Sequence, residues 1–169
     1  MLSAVTKAGL RAELLAARAA MSLGARADGD ARRDTALRGL LAGRRVAAYA
    51  AFDTEPATSG LLTASTLLPV LRPDRHLDWV ASGGGPALGI EALASCEVVL
   101  VPALAVDHVG VRLGRGGGSY DRALVHAVGL VIALLHEGEF VEALPAEAHD
   151  IRVHAVALPS GVVRLPLAR

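Results

Sequence analysis

Val98-Val99-Leu100-Val101 and Leu130-Val131-Ile132-Ala133-Leu134-Leu135 are apolar at every position. A strand with one wet face alternates apolar and polar residues. Short runs without alternation are strands buried on both faces, as in the parallel sheets of α/β proteins. Similar runs recur at 66–71 and 153–158, and helical or Gly-rich stretches at 86–95 and 119–128 lie among them. Strands alternating with helices predict an α/β fold, a three-layer α/β/α sandwich around a mostly parallel sheet. Working outward, residues 45–52 read as one more buried strand. Asp53-Thr54-Glu55-Pro56 then reads as a turn into a helix with Pro in its first turn. Upstream, Leu10, Leu14, Ala17 and Met21 form one apolar stripe of a helix over 2–21. A second helix is expected over about 30–41, ended by Gly43.

The 169 residues are 53% hydrophobic and 3% aromatic, enough apolar surface for one core without disulfides, so a single domain over 1–169 is expected. A single cysteine, Cys96, fits a reducing compartment and reads as a small buried hydrophobe. Seventeen basic and seventeen acidic side chains cancel, which argues against general nucleic-acid binding. The longest apolar run, at 125–135, is interrupted by His126 and Gly129 and falls short of the ~18 residues of a membrane span. Lys7, Arg11 and Arg18 interrupt any secretory hydrophobic region, and a cytoplasmic monomer is expected. Charge is uneven, however. Residues 1–45 carry nine cations against four carboxylates, an excess of five. Lys7 is also the one lysine beside sixteen arginines. Lys7, Arg11 and Arg18 share a helix face next to Leu14, where they either snorkel at the edge of a buried stripe or line a site.

The densest chemistry lies at 101–122. Four of the five residues 114–118 are glycine: Gly114, Gly116, Gly117 and Gly118. Without Cβ atoms, backbone N–H groups can converge on an anion, and the helix that follows adds more donors. Arg112 and Arg115 supply charge for phosphate, and Asp121 is placed to ligate Mg²⁺. Ser119 reads equally as a helix cap. The pattern is not the nucleotide loop ending in Gly-Lys-Ser/Thr. It is not the dinucleotide fingerprint either, since the third glycine is absent. From the residues alone, a phosphate cradle and a structural loop both remain open.

The string Val-Pro-x-Leu-x-x-Asp-x-x-Gly-x-Arg-Leu-Gly-x-Gly-Gly-Gly-x-Tyr-Asp-Arg from Val101 to Arg122 resembles the signature of 5-formyltetrahydrofolate cyclo-ligases, also called 5,10-methenyltetrahydrofolate synthetases. Lys7-x-x-Leu10-Arg11 followed by Arg18 resembles that family's ATP-contacting helix. Tyr49 with Glu55-Pro56-Ala57-Thr58 looks like its folate-side element, and Leu67-Leu68-Pro69-Val70 and Leu77-Asp78-Trp79 resemble its next strands. Pro145-x-Glu147-x-His149-Asp150 resembles its metal element.

The resemblance implies a fold similar to sugar-phosphate isomerases and CoA-transferases. It also implies ATP- and Mg²⁺-dependent cyclisation of 5-formyltetrahydrofolate, a reaction of one-carbon metabolism. Lys7, Arg11, Arg112, Gly114, Arg115, Gly116, Gly117, Gly118, Ser119 and Tyr120 would hold ATP. Asp121 and Asp150 would ligate Mg²⁺, and Glu55 and Tyr120 would meet the folate. Tyr120 and Arg115 would act at the reacting group. The remaining histidines, His76, His108, His126, His136 and His154, show no metal-ligand spacing.

Two departures stand out. Ser119 replaces the first of two tyrosines common in relatives. The family carries a longer segment with a Gly-Ile/Leu-x-Glu-Pro element near the substrate pocket, where this chain has only Val80-Ala81-Ser82-Gly83-Gly84-Gly85. A substrate-side segment of roughly a dozen residues near 80–85, of the kind that forms a lid, is therefore expected to be missing. These departures raise an alternative, a non-catalytic nucleotide- or folate-binding relative.

Overall fold

The computed structural model describes residues 6–148 and 150–166. Helices α1 (Lys7–Ala20) and α2 (Leu23–Leu41) open the chain. Each is capped by a hydroxyl: Thr6 Oγ1 accepts the Gly9 N–H, and Ser22 Oγ accepts the Ala25 N–H, both at 3.1 Å. The start expected for the first helix, at residues 2–5, lies outside the described residues. Along α1, Leu10, Leu14 and Leu15 face the protein and Ala17 is exposed, so Leu15 takes the place expected of Ala17. Helix α2 begins well before residue 30. Its buried face contains Gly29, Arg33 and Asp34 beside Leu37 and Leu41, so a search for apolar periodicity detects only its last turns.

Ten strands follow among the described residues: β1 (Val46–Ala47), β2 (Leu67–Leu71), β3 (Leu77–Ala81), β4 (Val98–Pro102), β5 (Ala105–Asp107), β6 (Arg112–Leu113), β7 (Leu130–Leu134), β8 (Phe140–Val141), β9 (Ala155–Leu158) and β10 (Gly161–Arg164). Seven form one sheet in the order β10-β9-β7-β4-β1-β2-β3. From β9 to β2 neighbours are parallel; β10 and β3 close the two edges antiparallel. The mostly parallel sheet is therefore as expected.

The uninterrupted apolar runs acquire their explanation here. Val98, Leu100, Ile132 and Leu134 point to one face, where they meet Leu37, Leu41 and Tyr49. Val99, Val101, Val131 and Ala133 point to the other, against Trp79, Leu93 and Leu124. Successive residues face opposite sides, and both sides are dry. Gly129 lets β7 draw alongside β4, because a Cβ there would collide with the carbonyl oxygens of Cys96 and Glu97. A second sheet, in the order β6-β5-β8, packs with α1 through a third cluster of Leu104, Val111, Leu113 and Leu144.

The strand expected over 45–52 is only two residues long. Beyond it the Tyr49 hydroxyl donates to the Pro56 carbonyl, and Thr58 Oγ1 donates to the Tyr49 carbonyl, both at 2.7 Å. These bonds hold 49–58 as an irregular loop. The expected helix after Pro56 is a single 3-10 turn, Ser59–Leu61. The stretch at 86–95 likewise forms only a 3-10 helix, Ile90–Ser95. Residues 82–85 leave β3 through a tight turn in which Ser82, Gly83 and Gly84 donate backbone bonds to Thr66, Ala64 and Ala81. Among the described residues no helix is long and apolar enough to cross a membrane.

Candidate active site

The glycine loop joins β6 to helix α3 (Ser119–Leu124). Gly116 (φ +96°) and Gly118 (φ +70°) take backbone angles that side-chain-bearing residues rarely adopt. A Cβ on Gly114 would lie 2.8 Å from Arg112 Nη1, so glycine is what lets the guanidinium in. Gly118, rather than Ser119, occupies the cap position of α3, and no side chain caps it.

Arginines grip the loop by its carbonyls. Arg11 Nε donates to Gly114 O at 2.8 Å. Arg75 Nη1 and Arg122 Nη1 both donate to Gly117 O, at 3.2 and 3.5 Å. Among the described residues, none of the N–H groups of 114–118 donates a hydrogen bond. Held by its carbonyls, with its amides unspent, the loop has the hydrogen-bonding character of an anion cradle.

Beside it lies a cleft of about 190 Å³, lined by the loop, Glu55, Tyr120, Asp121 and the buried Arg18. Arg112 donates from Nη2 to Asp121 Oδ1 at 2.9 Å and from Nη1 to Pro102 O at 3.2 Å. Its guanidinium lies 5.8 Å from the centre of the Tyr120 ring. The Tyr120 hydroxyl is buried without a hydrogen-bond partner among the described residues. Burial pushes its pKa well above that of an ordinary phenol, against the opposing charge of Arg112, so it remains protonated and a donor.

Arg115 crosses to the turn after residue 49. Its Nε pairs with Glu55 Oε1 at 3.2 Å, its Nη2 with Asp53 Oδ2 at 3.7 Å, and it lies 5.6 Å over the exposed Phe52 ring. Glu55 Oε2 also accepts the Phe52 N–H at 2.9 Å, which fixes the carboxylate. Of the residues expected on the folate side, Glu55 reaches the cleft, whereas Tyr49 and Thr58 are buried, bonded to the Pro56 and Tyr49 carbonyls.

Lys7 lies apart from the glycine loop's contacts. It pairs with Glu147 Oε1 at 2.9 Å and Asp150 Oδ2 at 3.1 Å, and the Glu147 bond, ahead of Asp150, holds its pKa above the ordinary lysine value. Asp150 Oδ2 also accepts the Glu147 N–H at 2.7 Å. His149 lies outside the described residues. Among those described, no group of three or more His, Cys, Asp or Glu is assembled for a metal. Asp107 of the 101–122 motif is structural: Oδ1 accepts the N–H groups of Val109 and Val111, and Oδ2 that of Leu144.

Arg75 and Glu139 carry no local signal in the sequence, whereas Asp53 and Arg122 stand inside quoted motifs without being read there as site residues. Glu139 receives Arg18 through both carboxylate oxygens, at 2.6 and 2.8 Å, and both residues are buried. It also accepts the His136 N–H. Glu139→Ala would leave a buried guanidinium uncompensated. It is expected to lower unfolding free energy in a urea titration by about 3–5 kcal/mol, and Arg18→Met with Glu139→Leu to recover much of that.

A sequence model described as the 5-formyltetrahydrofolate cyclo-ligase family matches residues 3–159. A protein from Mycolicibacterium smegmatis named 5-formyltetrahydrofolate cyclo-ligase is 40% identical, over 77% of this chain and 84% of its own length. The fold is similar to the NMR structure of the Aquifex aeolicus 5,10-methenyltetrahydrofolate synthetase, with TM-score 0.81, 24% identity, and coverage of 98% of this chain and 95% of that one. It is also similar to the synthetase from Mycoplasma pneumoniae, with TM-score 0.77, 18% identity, and coverage of 92% and 99%.

Proposed function

We propose the following division of labour for a chain that belongs to the 5-formyltetrahydrofolate cyclo-ligase family and so makes 5,10-methenyltetrahydrofolate. ATP is the second substrate. Its phosphates lie on the amides of Gly114, Gly116, Gly117 and Gly118, with Ser119 and Tyr120 at the loop's end. Arg11, Arg112 and Lys7 add charge. The observation that carries this is the loop itself, gripped through its carbonyls with its N–H groups unspent.

A formyl oxygen is a poor leaving group until phosphorylated. It attacks the γ-phosphorus, ADP departs, and the formyl carbon is left bonded to N5 and to a phosphorylated oxygen. N10 then attacks that carbon and loses its proton, and phosphate leaves with the oxygen. The protein's share is orientation and charge neutralisation. Arg115 meets the transferred group, Tyr120 donates its retained proton to an oxygen there, and Glu55 accepts hydrogen bonds from the folate.

Mg²⁺ ligates few carboxylates and takes the rest of its oxygens from phosphates and water. Asp121, one-quarter exposed at the cleft and held by Arg112, fits that requirement, and Asp150 is the second carboxylate offered. When bound, the ion would be held by Asp121 and Asp150 and would offset the charge of the phosphates. The hydrogen-bonded turn at 82–85 supports reading the substrate side as short of one segment, which leaves the folate less covered than in longer relatives.

The test is turnover: methenyl-folate absorbance should grow with 5-formyltetrahydrofolate, ATP and Mg²⁺ all present and stay flat when any one is omitted. Growth without ATP or without Mg²⁺ would remove that component. ATP binding by calorimetry with no conversion would favour a non-catalytic relative.

A further inference from the structure

We propose that Arg75, at the tip of the β2–β3 hairpin, is an oxyanion-binding residue of this site. The hairpin is rigid: five consecutive residue pairs register β2 against β3, from Leu67 with Ala81 to Leu71 with Leu77. Its tip nevertheless holds Arg75 at φ +67°, a conformation costly for a residue with a side chain. The hairpin turn sets that angle, with the Arg75 N–H on the Arg72 carbonyl and the Arg72 N–H on the His76 carbonyl, and it leaves the Arg75 side chain exposed.

Its neighbours do not neutralise that side chain. Asp74, the adjacent carboxylate, is committed to Arg72 at 3.2 Å and to the backbone and ring of His76 at 3.1 and 3.5 Å. Instead Arg75 reaches 42 residues along the chain to the neutral carbonyl of Gly117. Arg11 and Arg122 also contact loop carbonyls, and none of these three guanidiniums pairs with a carboxylate among the described residues. Three uncompensated cations around one short loop repel one another unless an anion offsets them. A carbonyl satisfies one of a guanidinium's five donors, so Arg75 keeps its fork for a bidentate oxyanion.

Two substrate groups share that chemistry, an ATP phosphate and the carboxylate tail of the folate. Rigidity of the hairpin places the charge at a fixed point without reordering on binding. Arg75 is a positioning residue here: it acts on where the anion sits rather than on the reacting atoms.

The inference rests on the proposed site, and its test separates the two. Calorimetry of the unsubstituted full chain with Mg-ATP comes first; absence of binding there sinks the site reading itself. Arg75→Ala, Arg75→Gln and Arg75→Lys are then assayed with each substrate varied at saturating levels of the other. Arg75→Ala and Arg75→Gln are expected to raise one KM roughly tenfold with kcat held within about twofold, and Arg75→Lys, a charge without the fork, to recover part of the loss. A rise confined to ATP, with weakened ATP binding in calorimetry, identifies the phosphate. A rise confined to 5-formyltetrahydrofolate identifies the carboxylate. Unchanged KM values for both substrates overturn the assignment. So do equal defects in the lysine and alanine variants accompanied by a lowered melting temperature, which would give Arg75 a role in hairpin packing alone.

Discussion

Arg115→Ala is expected to lower kcat by about 10²–10³-fold, the range for removing one fixed donor from a developing oxyanion. Arg115 belongs to the glycine loop yet leans across the cleft to Glu55, Asp53 and the Phe52 ring. On the proposed assignment it ties the phosphate side to the folate side. In the free protein its charge is spent on Glu55. On the same proposed assignment, the transferring phosphoryl group would compete for it once both substrates are bound, and Glu55 would be released toward folate. A neutral side chain at 115 removes the donor and leaves Glu55 held by the Phe52 N–H alone.

The exposed ion pair itself contributes little stability, so the melting temperature should stay nearly unchanged. Arg115→Lys keeps a point charge without the planar fork and should retain part of the rate. Steady-state kinetics with both substrates decides the matter. A variant whose kcat is intact, with only KM raised, would make Arg115 a binding group and remove it from the chemical step.

Asp121→Asn should have an effect of similar size. The substitution preserves volume but removes the negative charge that pairs with Arg112 and that the proposed divalent cation would require. A metal ion on a transferring phosphate supplies several kcal/mol of charge stabilisation, so a loss of roughly 10²–10³-fold in kcat is expected. The loss should shrink as Mg²⁺ is raised, since weakened binding is recovered by mass action. The Arg112 contact at 2.9 Å offers a competing explanation, in which Asp121 merely orients the guanidinium. The Mg²⁺ titration separates them. An unchanged half-activating Mg²⁺ concentration, with ATP affinity weakened, would assign Asp121 to Arg112 and leave the metal without it.

How much of this was legible in the chain follows from the range over which each contact acts. The runs that became β4 and β7 were legible because burial on both faces writes itself into every consecutive residue. The strand read over 45–52 is too long for the same reason: the apolar residues continue, but side-chain-to-backbone bonds from Tyr49 and Thr58 withdraw the backbone from the sheet. Apolar periodicity finds only the end of helix α2, because its buried face is built partly from the charged residues Arg33 and Asp34. Arg33 donates to the Leu135 carbonyl.

The candidate site divides along the same line. Arg112, Arg115, Tyr120 and Asp121 are neighbours in sequence and in space, so one short motif announces them. Arg75 and Glu139 act across 42 and 121 residues, and nothing local marks either one.

By itself the sequence determined the class of fold, the family and the glycine loop, each of which depends on residue order over a dozen positions or fewer, or on a contiguous motif. The tertiary structure alone decided which groups face that loop. Helix α1, the β2–β3 hairpin and the turn at 52–55 converge there because a parallel sheet brings distant segments to one edge. Backbone carbonyls, unlike side chains, accept hydrogen bonds with no residue code to reveal who will donate.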